Sequence, residues 1–158
     1  MTNNISIIIE TTFSSFSEKY SFEKEKEEYS GDDFSILYSS RFFCLRMKTY
    51  HREIYLYSFP PFDSDKESAI YNVILYQRGE KRIEWPYFHE IDNIEECYRL
   101  QMENLVTILS ENFSIINDFY LHDGFQERYN KLKDYVISLS PSTFATVSNT
   151  KANENLKN

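Results

Sequence analysis

Three histidines and two cysteines are the residues of this chain whose chemistry suits metal binding or nucleophilic catalysis. His89-Glu90 begins like the H-E-x-x-H helix motif of zinc peptidases, but Asn93 stands where that motif requires its second histidine. His51 and His122 have no second histidine at metal-ligand spacing. The sequence therefore predicts no metal site.

A cysteine nucleophile needs a neighbouring base and a lowered thiol pKa. Cys97 is flanked by carboxylates, which would raise its pKa, whereas Cys44 lies near Arg46 and His51. Arg46 and His51 also have the R-x4-H spacing found in some helical ribonuclease domains, where both side chains project from one helix. Here they flank a predicted β hairpin, so we expect a surface Arg on a strand and a His in a turn. We expect both cysteines to be buried structural thiols.

Phosphate-binding and serine-hydrolase motifs are absent from the sequence. It contains no G-x-G-x-x-G, no P-loop and no G-x-S-x-G, and it has only three glycines with which to build a phosphate-binding loop. We therefore expect a protein without a cofactor and without enzymatic activity.

The most distinctive feature is a concentration of carboxylates between Glu84 and Glu127. Ten Asp and Glu residues fall in this interval against one cation, Arg99. Exposed helices often pair Glu with Lys at i,i+4, but this interval has almost no cations. The sequence therefore predicts repulsion among the carboxylates with nothing to offset it. Such a surface attracts a basic protein and repels nucleic acid and anionic lipid. The predicted partner-binding residues on the helix are Glu96, Glu103, Glu111 and Asp118.

A simpler interpretation stays open, in which these carboxylates are only the solvated face opposite an apolar stripe. The formal net charge of −8 is consistent with either one. The apolar run Ile5 to Ile9 is interrupted by Glu10 and follows no cationic segment, so we expect neither a signal peptide nor a membrane span, and a cytoplasmic protein.

The chain length of 158 residues suits one domain, predicted over residues 1–141, with a polar, disordered tail over 142–158. Apolar spacing predicts a helix near residues 4–19. A charged edge strand, three β segments and a stop at Pro60-Pro61 should follow, the strands covering residues 23–28, 34–39, 42–48 and 53–59. The last two should form a hairpin with residues 49–52 as its linker.

Three helices complete the predicted α+β fold. Ser64 to Glu67 has the form of a capping box and predicts a helix over 65–78 that ends at Gly79. Apolar residues at spacings of three and four predict a long helix over 93–117, capped by Asp92 with Glu95 three residues on. A last helix should run from Asp123 to Ser140-Pro141 and pack against it as an antiparallel hairpin. The expected architecture is thus an N-terminal helix, a three- or four-stranded antiparallel meander and then helices.

Two other functions compete with the acidic binder. Tyr55, Tyr57, Trp85 and His89 could line a pocket between the sheet and the 80–90 loop, as in a small enzyme or ligand-binding domain. Alternatively, the basic hairpin residues Arg46, Lys48 and Arg52 could contact an acidic surface, as in an adaptor or phage accessory protein.

The order of helix, meander with an Arg-bearing hairpin, helix and helical hairpin resembles small acidic immunity proteins encoded beside bacterial toxins. The resemblance covers about residues 5–79, through Glu18 to Phe22 followed by Phe34 to Phe59. It implies a non-catalytic protein that blocks a cognate toxin by binding it, and an acidic binding surface where the toxin is a basic nuclease. The resemblance assigns no role to any individual residue of this chain.

Overall fold

Five antiparallel strands form one sheet in the order in which they occur along the chain. The computed structural model describes residues 4–82, 88 and 90–139. Each strand pairs with the next, and their bounds are Glu23–Ser30 (β1), Asp33–Ser39 (β2), Cys44–Tyr50 (β3), Glu53–Phe59 (β4) and Ser68–Ala69 (β5). The predicted meander is confirmed. The prediction that Pro60-Pro61 ends the sheet is wrong, because the chain turns there and returns to add β5 beside β4.

The strands alternate between a buried and a solvent-facing side, as their sequence period of two predicts. Ile36, Leu45, Met47 and Leu56 point from the three central strands into the core and are almost fully buried. Their neighbours along the strands face the other way. Tyr55 and Tyr57 therefore lie on the outer side of the sheet, level with Lys48 and Arg46 of β3.

Strand β1 is the predicted charged edge strand, and it pairs only with β2. Lys24 contacts two carboxylates, at 2.9 Å from Glu27 Oε1 and 3.1 Å from Glu10 Oε2 of the preceding helix. The Tyr29 hydroxyl donates to Glu27, and this bond, more than the one from Lys24, lowers the pKa of that carboxyl. Charges along the open edge oppose pairing with another chain.

Helix α1, Asn4–Tyr20, and the long helix α3, Ile94–Phe119, lie side by side and run in the same direction. Asn4 Nδ2 donates to Glu95 Oε2 at 2.9 Å at one end, and Tyr20 stacks on Phe113 with ring centroids 3.7 Å apart at the other. Both predicted helices are thus present. Among the described residues no helix, α3 included, is both long and apolar enough to cross a membrane.

The capping-box prediction is wrong. Helix α2 spans Ile70–Arg78 and begins after β5, with no side-chain cap. Glu67, the expected capping carboxylate, instead accepts a hydrogen bond from Arg46 Nε at 2.7 Å across the sheet surface. The end of the helix is as predicted, since Gly79 adopts the left-handed conformation of a helix C-cap with φ 67°.

The start of α3 is one residue later than predicted. Asn93 caps the helix by accepting a hydrogen bond from the Glu96 amide at 2.8 Å, in the role expected of Asp92. The last helix, α4, spans Phe125–Ser138 and follows α3 after a short turn. The main neighbour of α4 is α2, and the main neighbour of α3 is α1, followed by α2. Each helix therefore has a different main neighbour from the predicted one, which was the other helix of this pair. The predicted tail, 142–158, lies outside the described residues.

The β3–β4 turn is tighter than predicted, since only His51 and Arg52 connect the strands and both have positive φ, at 49° and 69°. Non-glycine residues rarely adopt this conformation. Helix α3 holds the turn through Gln101, whose Nε2 donates to Arg52 O at 2.7 Å while its Oε1 accepts from the Ile54 amide at 3.0 Å. One buried side chain thereby joins α3 to the sheet.

We expect Gln101→Ala to lower the free energy of unfolding by about 1–3 kcal/mol, because it leaves a buried amide and a carbonyl without their partner. Urea unfolding followed by circular dichroism measures the change. Gln126→Ala is the matched control, since Gln126 is exposed and its side chain donates to Asn130 on the same helix, α4. Equal effects of the two substitutions would show that Gln101 does not tie the turn to α3.

Candidate functional site

The four predicted partner-binding carboxylates lie on one side of α3. The opposite side of this 26-residue helix is buried, through residues that include Tyr98, Met102, Leu105 and Leu109. Consecutive members of the acidic set are separated by about two helical turns, which places them on a common side. We call this set the acidic stripe, formed by Glu96, Glu103, Glu111 and Asp118. The last three are exposed and Glu96 is half-buried.

Arg99 divides the acidic stripe into a neutralised half and an unneutralised half. Its Nε donates to Glu96 Oε1 at 3.0 Å, and its terminal nitrogens contact Glu96 and Glu103. The hydrogen bonds from Arg99 lower the pKa of the Glu96 carboxyl. The expectation that nothing offsets the repulsion is therefore wrong for this end of the stripe.

Glu111 and Asp118 differ, because within the described ranges neither takes part in an ion pair or a side-chain hydrogen bond. Asp118 also lies in the last turn of α3, which contains no basic residue. Unpaired carbonyls give a helix C-terminus a partial negative charge, so a carboxylate there is unfavourable by roughly 0.3–1 kcal/mol. The free protein therefore carries uncompensated negative charge at this end of α3.

The outer side of the sheet contains a groove of about 520 Å³ that is lined by Tyr55 and Tyr57, together with Lys48, Tyr50 and Asp33. Two of the four predicted pocket residues are therefore together, while Trp85 and His89 lie outside the described residues. The Tyr55 hydroxyl donates to Glu53 Oε1 at 2.7 Å, which raises its pKa to about 12. Lys48 Nζ lies 5.3 Å from the centre of the Tyr57 ring.

The predicted basic hairpin does not present three free cations. Arg46 is paired with Glu67, and Arg52 turns inward so that its Nη2 donates to the Ile91 carbonyl. Lys48 is exposed on the sheet. Because two of the three side chains already have partners, this hairpin offers little attraction to an acidic surface.

Neither cysteine is placed for nucleophilic chemistry. Both are buried, and burial raises the pKa of the Cys44 thiol, which opposes thiolate formation. Cys97 Sγ lies 3.3 Å from the Phe88 carbonyl and next to Gln101. No group of three or more His, Cys, Asp or Glu side chains that could hold a metal ion occurs in the part of the chain that the structure describes.

Sequence reasoning missed two exposed apolar side chains just beyond the end of the acidic stripe. Phe62 is 48% exposed and Leu121 is 52% exposed. Leu121 lies two residues after the end of α3, and its amide donates to Asp118 O, while Phe62 contacts the ring of His122, the residue after Leu121. We call this pair the apolar knob. The signal that could have identified it is a large apolar residue inside each of two otherwise polar turns.

Comparisons of the chain with protein-family models, with curated proteins and with solved structures give no significant match. The function is therefore argued from the geometry of these surfaces.

We expect Asp118→Lys to raise the free energy of unfolding by about 0.3–1 kcal/mol, because a cation then faces the carbonyls at the end of α3. Thermal and urea unfolding at low salt measure the change. Glu111→Lys makes the same charge change about two turns before the end of the same helix and should stabilise less. If the two variants are equally stable, position along the helix is irrelevant and only net charge matters.

We expect both thiols to be unreactive in the folded protein, because they are buried. A disulfide reagent such as 5,5′-dithiobis(2-nitrobenzoic acid) should react with the thiols only as fast as the chain unfolds. In guanidinium chloride the reaction should be immediate. Rapid modification of one thiol in buffer alone would contradict this and would identify an accessible cysteine.

Proposed function

We propose that this chain is a non-catalytic binding protein that neutralises a basic protein partner through the acidic stripe of α3. The observation that supports it most is the pair Glu111 and Asp118, two exposed carboxylates without a described partner on a helix whose other side is buried. The resemblance to immunity proteins leads us to propose a bacterial toxin as the partner and the cytoplasm as the place of action.

A cationic partner would relieve an unfavourable arrangement of charge. In the free protein Asp118 lies at the negative end of the helix, and Glu111 forms no ion pair within the described part of the chain. A Lys or Arg from the partner would interact favourably with the carboxylate and with the helix carbonyls together. Binding therefore gains more from this carboxylate than from an already paired one such as Glu103.

The stripe also has a defined geometry. The rise of an α-helix places Glu111 and Asp118 about 10 Å apart along the axis of α3. Helix α3 is held by α1 at Glu95 and at Phe113, and by Gln101 at the β3–β4 turn. Fixed charges at a fixed spacing lower the ordering cost of binding and increase the rate of encounter with an oppositely charged protein.

A second candidate function, small-molecule binding, is favoured by the groove on the outer side of the sheet. Its aromatic lining suits a small ligand, although the groove is open to solvent. Its polar groups are partly engaged already, since Tyr55 bonds to Glu53 and Lys48 lies over Tyr57. A thermal-shift screen with metabolites tests it: a hit whose shift disappears in Tyr57→Ala would support the groove, and the absence of any hit would remove it.

The acidic binder is tested with the double variant Glu111→Gln/Asp118→Asn. The wild-type chain is immobilised, partners are captured from native cytoplasm at low salt, and a salt gradient elutes them. The affinity of the purified partner is then measured against salt concentration. We expect the double variant to bind about tenfold more weakly at low salt and to show a shallower salt dependence, because two attractive charges are lost.

Asp32→Asn/Asp134→Asn is the matched control, because it removes two exposed carboxylates from the β1–β2 turn and from α4 and leaves the stripe unchanged. It should bind almost as the wild type does. Equal affinity and equal salt dependence of the two double variants would refute the role of the stripe. An enzymatic turnover of the captured molecule would refute the non-catalytic proposal.

A further inference from the structure

We propose that the apolar knob, Phe62 and Leu121, is the anchor of the partner interface and inserts into an apolar pocket bordered by basic residues. This inference rests on the proposed function and specifies the partner's surface. Protein interfaces commonly combine a few apolar or aromatic anchors with a polar rim. The acidic stripe supplies such a polar rim along only one side of the apolar knob. The charges on the other sides of the knob therefore also decide which kind of partner fits.

The side chains that border the knob leave it with an acidic surrounding. Asp118 precedes Leu121 by one helical turn, Asp123 follows His122, and Asp65 lies in the loop that carries Phe62. Two nearby cations, Lys66 and Arg128, offset only part of this negative charge. Lys66 pairs with Asp63 at 3.5 Å, and Arg128 donates to three backbone carbonyls, those of Phe119, Leu121 and Asp123. Charge complementarity therefore favours a basic partner at the knob as well as along the stripe.

The apolar knob packs on buried residues that are tied to the sheet, as is expected of an interface anchor. The Phe62 ring lies 5.5 Å from the buried Phe125 ring, which is stacked on Tyr120. The Tyr120 hydroxyl is 2.6 Å from Ser58 Oγ of β4, so the base is tied to the sheet.

Arg128 fixes the turn that carries Leu121. The Arg128 side chain fits closely over Gly124, which has φ 77° and where a Cβ would approach Nη1 to 3.0 Å. The apolar surface is thus exposed on a turn whose position is already fixed, and little ordering cost remains for binding.

The test uses two synthetic peptides of equal charge as probes. One is an amphipathic helix with Lys on one side and Leu on the other, and the second has Ser in place of every Leu. Wild-type protein should bind the Lys-Leu peptide at least about tenfold more tightly than the Lys-Ser peptide. In Phe62→Ser/Leu121→Ser this preference should disappear, while the salt dependence of binding stays as in the wild type.

Ile137→Ser is the matched control, because Ile137 is an 82% exposed apolar residue on α4. It should keep the peptide preference, and thermal unfolding should show all variants folded. A wild-type protein that binds both peptides equally, or a Phe62→Ser/Leu121→Ser variant that keeps the preference, overturns the inference. A wild-type dimer in sedimentation that Phe62→Ser/Leu121→Ser dissociates also overturns it, since a second copy then covers the knob.

These experiments distinguish whether the apolar knob is not the anchor or the acidic stripe does not bind the partner. Loss of the Leu preference with a normal salt dependence assigns the anchor to the knob. If Glu111→Gln/Asp118→Asn changes neither affinity nor salt dependence for either peptide, the stripe fails whatever the knob does.

Discussion

Burial of one side of α3 is the interaction on which the rest of this structure depends. The helix contacts α1 along its length, packs on α2, and reaches the β3–β4 turn through Gln101. Without it, the inner side of the sheet, which includes Met47 and Leu56, would lose part of its cover. Because one side of α3 is committed to the core, the other must face solvent, and that is the side on which the carboxylates lie. The stability of the fold and the exposure of the acidic stripe therefore have the same origin.

This arrangement separates what stabilises the protein from what it offers to a partner. The core is almost entirely apolar, with Gln101 and Ser58 as buried polar links between helices and sheet. Charged pairs lie at the periphery, where solvent weakens them. Substitutions on the solvent side of α3 consequently leave the core intact, which allows the surface chemistry to vary while the fold is retained.

The sequence predicts those elements whose side chains follow a period, since burial on one side imposes that period. Helices α1 and α3 and strands β2 and β4 are of this kind. It fails where distant contacts decide the local structure. Glu67 suits a helix cap but bonds to Arg46 of β3. The His51-Arg52 turn has positive φ values but contains no glycine, so the sequence does not indicate them. Asp92 and Asn93 are both good caps, so sequence alone could not choose between them.

The candidate site was predictable to a similar extent. The stripe follows from helical spacing, and the pairing of Arg99 with Glu96 and Glu103 follows from separations of three and four residues. Two features were not predictable. The apolar knob joins the loop after β4 to the turn after α3, and the engagement of Arg46 and Arg52 depends on residues far along the chain.

The parallel packing of α1 and α3 has a consequence for synthesis of the chain. Asn4 meets a partner 91 residues later in the sequence, and Tyr20 meets Phe113. The meander between them connects only neighbouring strands, so it can form as it leaves the ribosome. The apolar residues Ile9, Phe13 and Phe16 of the first helix can use the emerging sheet, but their full cover arrives only with α3. Helix α1 is thus translated before α3 but is completely enclosed only after it, and during that interval its apolar side stays exposed.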